Sequence, residues 1–190
     1  KNITCGEGGA IITNNKNIEL IKSILINGMT ASAHNRFTGN KYNSWDVKIP
    51  GFKGNLSDIN ASLLLTQIPK ENSNASKRKK IYNYFKKKLI NYVDIPLSTE
   101  FEKRDYHLFP VGLRNKDERD KIIKELFLKK IPATVNYTAI TKLAFYKKKY
   151  KSKCPVSENW GDRTLSLPFH LKLTKKNIDF IFKIILKFLS

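Results

Sequence analysis

Apolar residues recur at helical spacing in five stretches of the chain. Ile18, Ile21 and Leu25 lie on one side of a segment that Asn17 can cap, and Gly28 stands where a left-handed C-terminal cap belongs. Leu56, Ile59, Leu63 and Leu64 form a second stripe, which Asn55 or Ser57 can cap and Pro69 interrupts. Ile81, Phe85, Leu89 and Tyr92 fall at i, i+4, i+8 and i+11 on a lysine-covered helix from about residue 75 to 92, stopped at Ile95-Pro96. Ile122, Ile123, Leu126 and Phe127 point inward from a helix over 116–130. Thr174 caps a last helix whose inner side carries Ile178, Ile181, Phe182, Ile185 and Leu189.

The remaining apolar runs read as strands. Ala10 to Thr13 predicts a short buried strand ended by Asn14-Asn15, Tyr106 to Leu113 alternates weakly, and Ala133 to Tyr137 and Leu165 to Leu167 are two further short strands. Residues 29–54 show no clear period and hold Gly39, Asn40, Asn43, Pro50, Gly51 and Gly54. They form a long loop, which Phe37, Tyr42, Trp45 and Phe52 should order. Strands alternating with helices predict an α/β or α+β unit with a boundary near 93–105, which divides the chain into 1–92 and 93–190.

A hydrophobic content of 41% and 190 residues suffice for a real core. The formal net charge of +20 raises nucleic acid or an anionic membrane as partners. Only six of the 36 basic residues are arginine, the side chain suited to bidentate phosphate and base contacts, so a solvated lysine surface is the expectation. Neither a nucleic-acid nor a membrane partner is expected. Cys5 and Cys154 make no disulfide framework, which points to a reducing cytoplasm. No apolar run reaches the roughly 20 residues of a membrane span.

Candidate chemistry is sparse. Gly6-Glu7-Gly8-Gly9 lacks the Gly-Lys-Ser/Thr ending of a phosphate loop, so a tight turn describes it better. His34, His107 and His170 do not cluster and have no acidic residue at a ligand spacing, so no metal is expected. No GxSxG elbow supports a hydrolase. Lys183 and Lys187 oppose the apolar face of the last helix, a pattern of core packing.

The order of several segments adds more. Lys1-Asn2-Ile3-Thr4-Cys5-Gly6-Glu7-Gly8-Gly9 resembles the segment holding the pyridoxal-phosphate (PLP) lysine in nucleotide-sugar aminotransferases of the DegT/DnrJ/StrS type. Pro50 to Ala61 resembles that family's glycine–asparagine segment and the helix after it. Tyr106-His107-Leu108-Phe109, Val135-Asn136-Tyr137 and Leu165-Ser166-Leu167-Pro168 are similar to its small-domain landmarks, in the same order.

The resemblance implies a type I PLP-transferase fold, of which this chain is the end of the large domain (1–92) plus the C-terminal small α+β domain (93–190). It implies Lys1 as the catalytic lysine that bonds to PLP and shuttles a proton, and Asn55 as a cofactor-phosphate ligand reaching the neighbouring subunit of a homodimer. Arg36, Asn136 and Tyr137 would approach a nucleotide-linked keto sugar, with glutamate as amino donor, in the making of a cell-surface polysaccharide. Near 135–141 many relatives carry histidines and a proline where this chain has Asn136, Ala139 and Thr141, which leaves the particular sugar open. The other cofactor-site residues would precede Lys1, so the 190-residue chain alone is expected to fold poorly and be inactive. Two other readings remain: a basic nucleic-acid-binding module built on Lys77 to Lys88, and a paralogue that has kept the fold and lost catalysis.

Overall fold

The computed structural model describes residues 1–30, 37–38, 40–42, 44–96 and 105–189, and these fall into two units. One comprises Ile3–Pro69, the other Lys70–Ser190 together with Lys1 and Asn2.

In the first unit, α1 (Ile18–Leu25) turns sharply at its end. Gly28 adopts φ +76°, and its N–H donates to the Ser23 carbonyl at 2.8 Å. A Cβ on Gly28 would lie 1.8 Å from the Ile49 carbonyl oxygen, and one on Gly51 would lie 2.2 Å from the Gly28 nitrogen, so two backbones cross where only glycine fits. A two-residue hairpin follows, β1 (Phe37–Thr38) against β2 (Lys41–Tyr42). The helix α2 (Asp58–Leu65) is capped by Ser57, whose hydroxyl accepts the Asn60 N–H at 3.2 Å, and a 3-10 turn at Ile68–Lys70 follows it.

Two expectations fail in this unit. Ala10 to Thr13 is not a strand: no described segment offers it a ladder, and Ile12 is 97% exposed. The stripe on α2 is not a fully buried face either, since Ile59 and Leu63 are exposed and Leu56 and Leu64 only half-buried.

The second unit carries the core. It begins with α3 (Glu71–Leu89), passes through β3 (Phe109–Gly112), α4 (Lys116–Leu128), a 3-10 turn (Ile140–Lys142), α5 (Ala144–Lys149), α6 (Pro155–Arg163) and β4 (Thr164–Leu167), and ends in α7 (Lys175–Leu186). The strands β3 and β4 are antiparallel, with Phe109 opposite Leu167 and Val111 opposite Leu165. Single bridges at Asp94–Gly112 and Thr134–Ser166 extend the sheet on both sides. Phe85 and Leu89 of α3, Ile122 and Leu126 of α4, and Ile178, Ile181, Ile184 and Ile185 of α7 cover it.

The predicted strand from Tyr106 begins only at Phe109, because Tyr106 sits at φ +48°, outside the extended region. Ala133 to Tyr137 keeps only its bridge at Thr134. The helix α4 stops two residues early, at a left-handed Lys130 (φ +59°), and the Ile131 N–H returns to the Leu126 carbonyl at 2.9 Å. That ending leaves Phe127 77% exposed, contrary to its predicted inward face. α7 has the expected Thr174 cap, closed reciprocally by Asn177.

A polar clamp joins α3 to α7. The Asp179 carboxylate accepts the Tyr84 hydroxyl at 3.0 Å and pairs with Lys88 Nζ at 2.9 Å, while Lys88 and Lys175 lie over the Tyr84 ring. The Lys88 hydrogen bond, then the Tyr84 hydroxyl and the charges of Lys88 and Lys183, hold the Asp179 carboxyl below its usual range against the opposing effect of burial. A depressed carboxyl contributes stability above its unfolded pKa and loses it as pH falls through the folded value. Asp179→Asn should therefore flatten the decline in stability below about pH 4, measured as urea midpoint against pH. An unchanged acid limb would show that the clamp adds nothing to folding.

Among the described residues no helix is long and apolar enough to cross a membrane, and no group of three potential ligands could hold a metal. Cys5 and Cys154 are both free thiols.

Candidate functional site

The glycine-rich turn is held by side-chain amides rather than by a strand ladder. Gln67 Nε2 donates to the carbonyls of Thr4 and Leu63, both at 2.7 Å, and its Oε1 accepts the Thr4 N–H at 3.0 Å. Asn60 Nδ2 donates to the Glu7 carbonyl at 3.4 Å, and the Gly6 N–H reaches Thr4 Oγ1 at 3.3 Å. A Cβ on Gly8 would meet Cys5 Sγ at 2.8 Å and Leu56 Cδ1 at 2.9 Å, so the turn lies close against the start of α2. The two most specific sequence motifs, 1–9 and 50–61, thus meet at residues 4–8 and 56–67.

Asn55 stands exposed just before α2. Its approach is set by the chain crossing below it: Phe52 N–H donates to the Ile24 carbonyl at 2.7 Å, and Gly54 N–H to Leu25 at 2.8 Å. Asn55, Gly54 and Gly9 share a concavity of about 460 Å³ with Ser23 and Lys22 of α1. The hydroxyl of Ser23 is already used, donating to the Met29 carbonyl at 2.8 Å.

Lys1 belongs to the other unit. Asn2 Nδ2 donates to the Asp105 carbonyl at 2.6 Å, which ties the first residues to the chain entering β3. His107 lies close enough to feel Lys1: burial first, then the charges of Lys1, the terminal ammonium and Arg78, push its pKa below the usual histidine value, with Asp105 opposing. At neutral pH His107 is thus an uncharged imidazole beside two cationic side chains. Nearby on α3, the buried Arg78 Nε and Glu71 Oε2 have no hydrogen-bond partner.

Asn136 and Tyr137 follow the Thr134 bridge. Gly161 of α6 supports them, since a Cβ there would meet the Ala139 nitrogen at 2.8 Å and the Tyr137 carbonyl at 3.1 Å. Tyr137 is exposed. Asn136 Oδ1 is buried without a partner, a state that costs about 1–3 kcal/mol until something donates to it. Arg36 lies outside the described residues. The electrostatic effect of Lys1 on His107 spans more than a hundred residues of sequence, which no local pattern encodes.

The model of the DegT/DnrJ/EryC1/StrS aminotransferase family matches residues 1–186. The uncharacterized protein MJ1066 of Methanocaldococcus jannaschii is 29% identical over 199 residues, covering all of this chain and 52% of that protein. Among solved structures, Spr1654 of Streptococcus pneumoniae in its PMP form has a TM-score of 0.79 at 24% identity, over 88% of this chain and 43% of that one. Helicobacter pylori PseC, an aminotransferase involved in the biosynthesis of pseudoaminic acid, has a TM-score of 0.76 at 23% identity, over 93% and 47%. Likeness of that degree identifies the fold as that of the PLP transferases. The chain spans about half the length of the relatives it matches.

Proposed function

Since the chain belongs to the DegT/DnrJ/EryC1/StrS aminotransferase family, whose members depend on PLP, we propose that the protein carrying it transfers an amino group from glutamate to a nucleotide-linked keto sugar. The observation that carries this reading is the seating of the glycine turn on the Leu56–Gln67 segment, which brings the two most specific motifs together.

The donor set fits PLP in kind. Lys1 has the primary amine that an aldehyde captures, and Asn55 presents an amide able to donate to a phosphate oxygen beside the open concavity of α1 and α2. When bound, PLP supplies the electron sink for bond breaking at the carbon attached to the transferred nitrogen. Lys1 would hold the cofactor through its side-chain amine and would carry a proton to and from the substrate carbon. His107, kept uncharged by burial and by the positive charges around it, adds no further cation to the surroundings of Lys1. Tyr137, exposed and next to Asn136, faces the sugar, as the family resemblance implies. Asn55 acts across a homodimer interface, as the family resemblance implies.

The basic helix α3 has less support as a nucleic-acid surface, because Lys88 is engaged by Asp179 and by the rings of Tyr84 and Phe182.

The test supplies the full-length protein with PLP, glutamate and a UDP-linked 4-keto sugar. Glutamate consumption and aminated sugar should appear in equal amounts. Loss of water from the sugar with glutamate untouched would overturn the transaminase reading in favour of a dehydratase.

A further inference from the structure

The region between the 3-10 turn at Ile140 and the start of α6 forms a second concavity, of about 600 Å³, wholly within the second unit. Four of its eight lining residues are lysines, Lys142, Lys147, Lys151 and Lys153, and Tyr150 supplies an aromatic wall.

One carboxylate, Glu158, lines this space and a second, Asp162, pairs with a lining lysine; both are already engaged. Glu158 Oε1 accepts the Thr141 hydroxyl at 2.7 Å and the Cys154 N–H at 3.0 Å, so it fastens α6 to the turn. Those two bonds, helped by the charge of Lys142, hold its carboxyl below the usual range. Asp162 is paired with Lys142. Among the described residues no carboxylate pairs with Lys147, Lys151 or Lys153. Like charges at such density repel one another and are relieved by a bound anion.

The aromatic side of the concavity is built as well. The Tyr150 ring stacks with Tyr146 at 6.2 Å between centroids, and Lys149 Nζ sits 5.2 Å over the Tyr150 ring, fixing the wall from behind. The volume lies in the range of small-ligand sites, too small for a duplex. Lysine binds phosphate as a point charge and does not need the planar fork of arginine.

We propose that this concavity binds a diphosphate group, with Lys147, Lys151 and Lys153 on its oxygens. Two sources share that chemistry: free inorganic diphosphate, and the diphosphate of a nucleotide whose base lies against Tyr150. Identification with the second source rests on the nucleotide-sugar reading given above; the anion site does not.

The experiment titrates full-length protein with inorganic pyrophosphate, UDP and uridine by calorimetry. Binding of pyrophosphate and UDP without uridine supports the site. Tighter binding of UDP than of pyrophosphate assigns it to a nucleotide, and equal binding assigns it to the free anion. The triple variant K147Q/K151Q/K153Q should weaken both anions roughly tenfold or more, the scale of a lost charge-assisted hydrogen bond. A control triple on α4, K116Q/K121Q/K124Q, removes the same charge elsewhere and should leave both affinities unchanged. Equal losses in the two triples, or no binding of either anion, would overturn the proposal. Failure of amination with pyrophosphate binding intact would count against the transfer reading alone.

Discussion

Replacing Phe109 by alanine should remove most of the stability of the second unit. The Phe109 ring is fully buried at the start of β3, 4.8 Å from Phe85, 5.0 Å from Tyr82 and 6.4 Å from Phe169 between centroids. It therefore joins α3, β3 and the chain leaving β4 in one cluster. Deleting a buried phenylalanine costs about 3–5 kcal/mol, against a typical domain stability of about 5–15 kcal/mol. The melting temperature should fall by roughly 10 °C or more. Near-UV circular dichroism during thermal unfolding measures this directly, because the transition reports the aromatic cluster itself. Phe127→Ala serves as the contrast: its side chain is 77% exposed, and its removal should change stability by less than about 0.5 kcal/mol. Equal losses from the two substitutions would mean that the cluster is not the core.

That contrast also marks where the sequence is readable. On α4 the spacing placed Ile122, Ile123, Leu126 and Phe127 together inward, yet only Ile122 and Leu126 are buried. An i, i+4 pair points one way on a helix, while the residues next to it rotate by about 100° and come to the edge. On α7 the stripe of Ile178, Ile181 and Ile185 was legible, and the structure adds Ile184, which lies between them on a wide apolar face. In the second unit, local period and tertiary burial agree at most positions because the helices pack on one sheet, while Phe127 and Tyr92, at the ends of their stripes, are exposed.

The first unit behaves differently. Ala10 to Thr13 has the composition of a buried strand, but a strand is stable only when its N–H and C=O groups find a ladder, and no described segment supplies one. Phe52, Ile59 and Leu65 are likewise apolar and exposed. What did read correctly there was backbone chemistry: the Ser57 cap and the left-handed Gly28, both decided within a few residues. The candidate site divides along the same line. Its motifs are visible as short words, whereas the Gln67 amide that holds Thr4, and the charge of Lys1 acting on His107, are long-range effects that only the folded chain reveals.

Replacing Lys1 by alanine should eliminate covalent attachment of PLP and, with it, turnover. In the full-length protein the native lysine should give a visible absorbance band with PLP. Borohydride reduction followed by mass spectrometry should place the cofactor on the peptide containing Lys1. Lys1→Ala removes the nucleophile while leaving the glycine turn intact, because the Gln67 and Asn60 contacts begin at Thr4. Lys1→Arg keeps the positive charge beside His107 but cannot form the bond, so it separates chemistry from electrostatics. Both variants should lose the band, and turnover should drop on the order of 10⁴-fold or more, the scale of deleting a covalent catalytic group. Melting temperature should stay near that of the parent, since Lys1 is exposed and contributes nothing to the buried cluster. Lys16→Ala, another exposed lysine of the same stretch, should change none of these readings. If the band survives in Lys1→Ala, or borohydride fixes the cofactor on another lysine, the lysine of this chain is not the one that holds PLP. The glycine turn would then be only a structural support for α2.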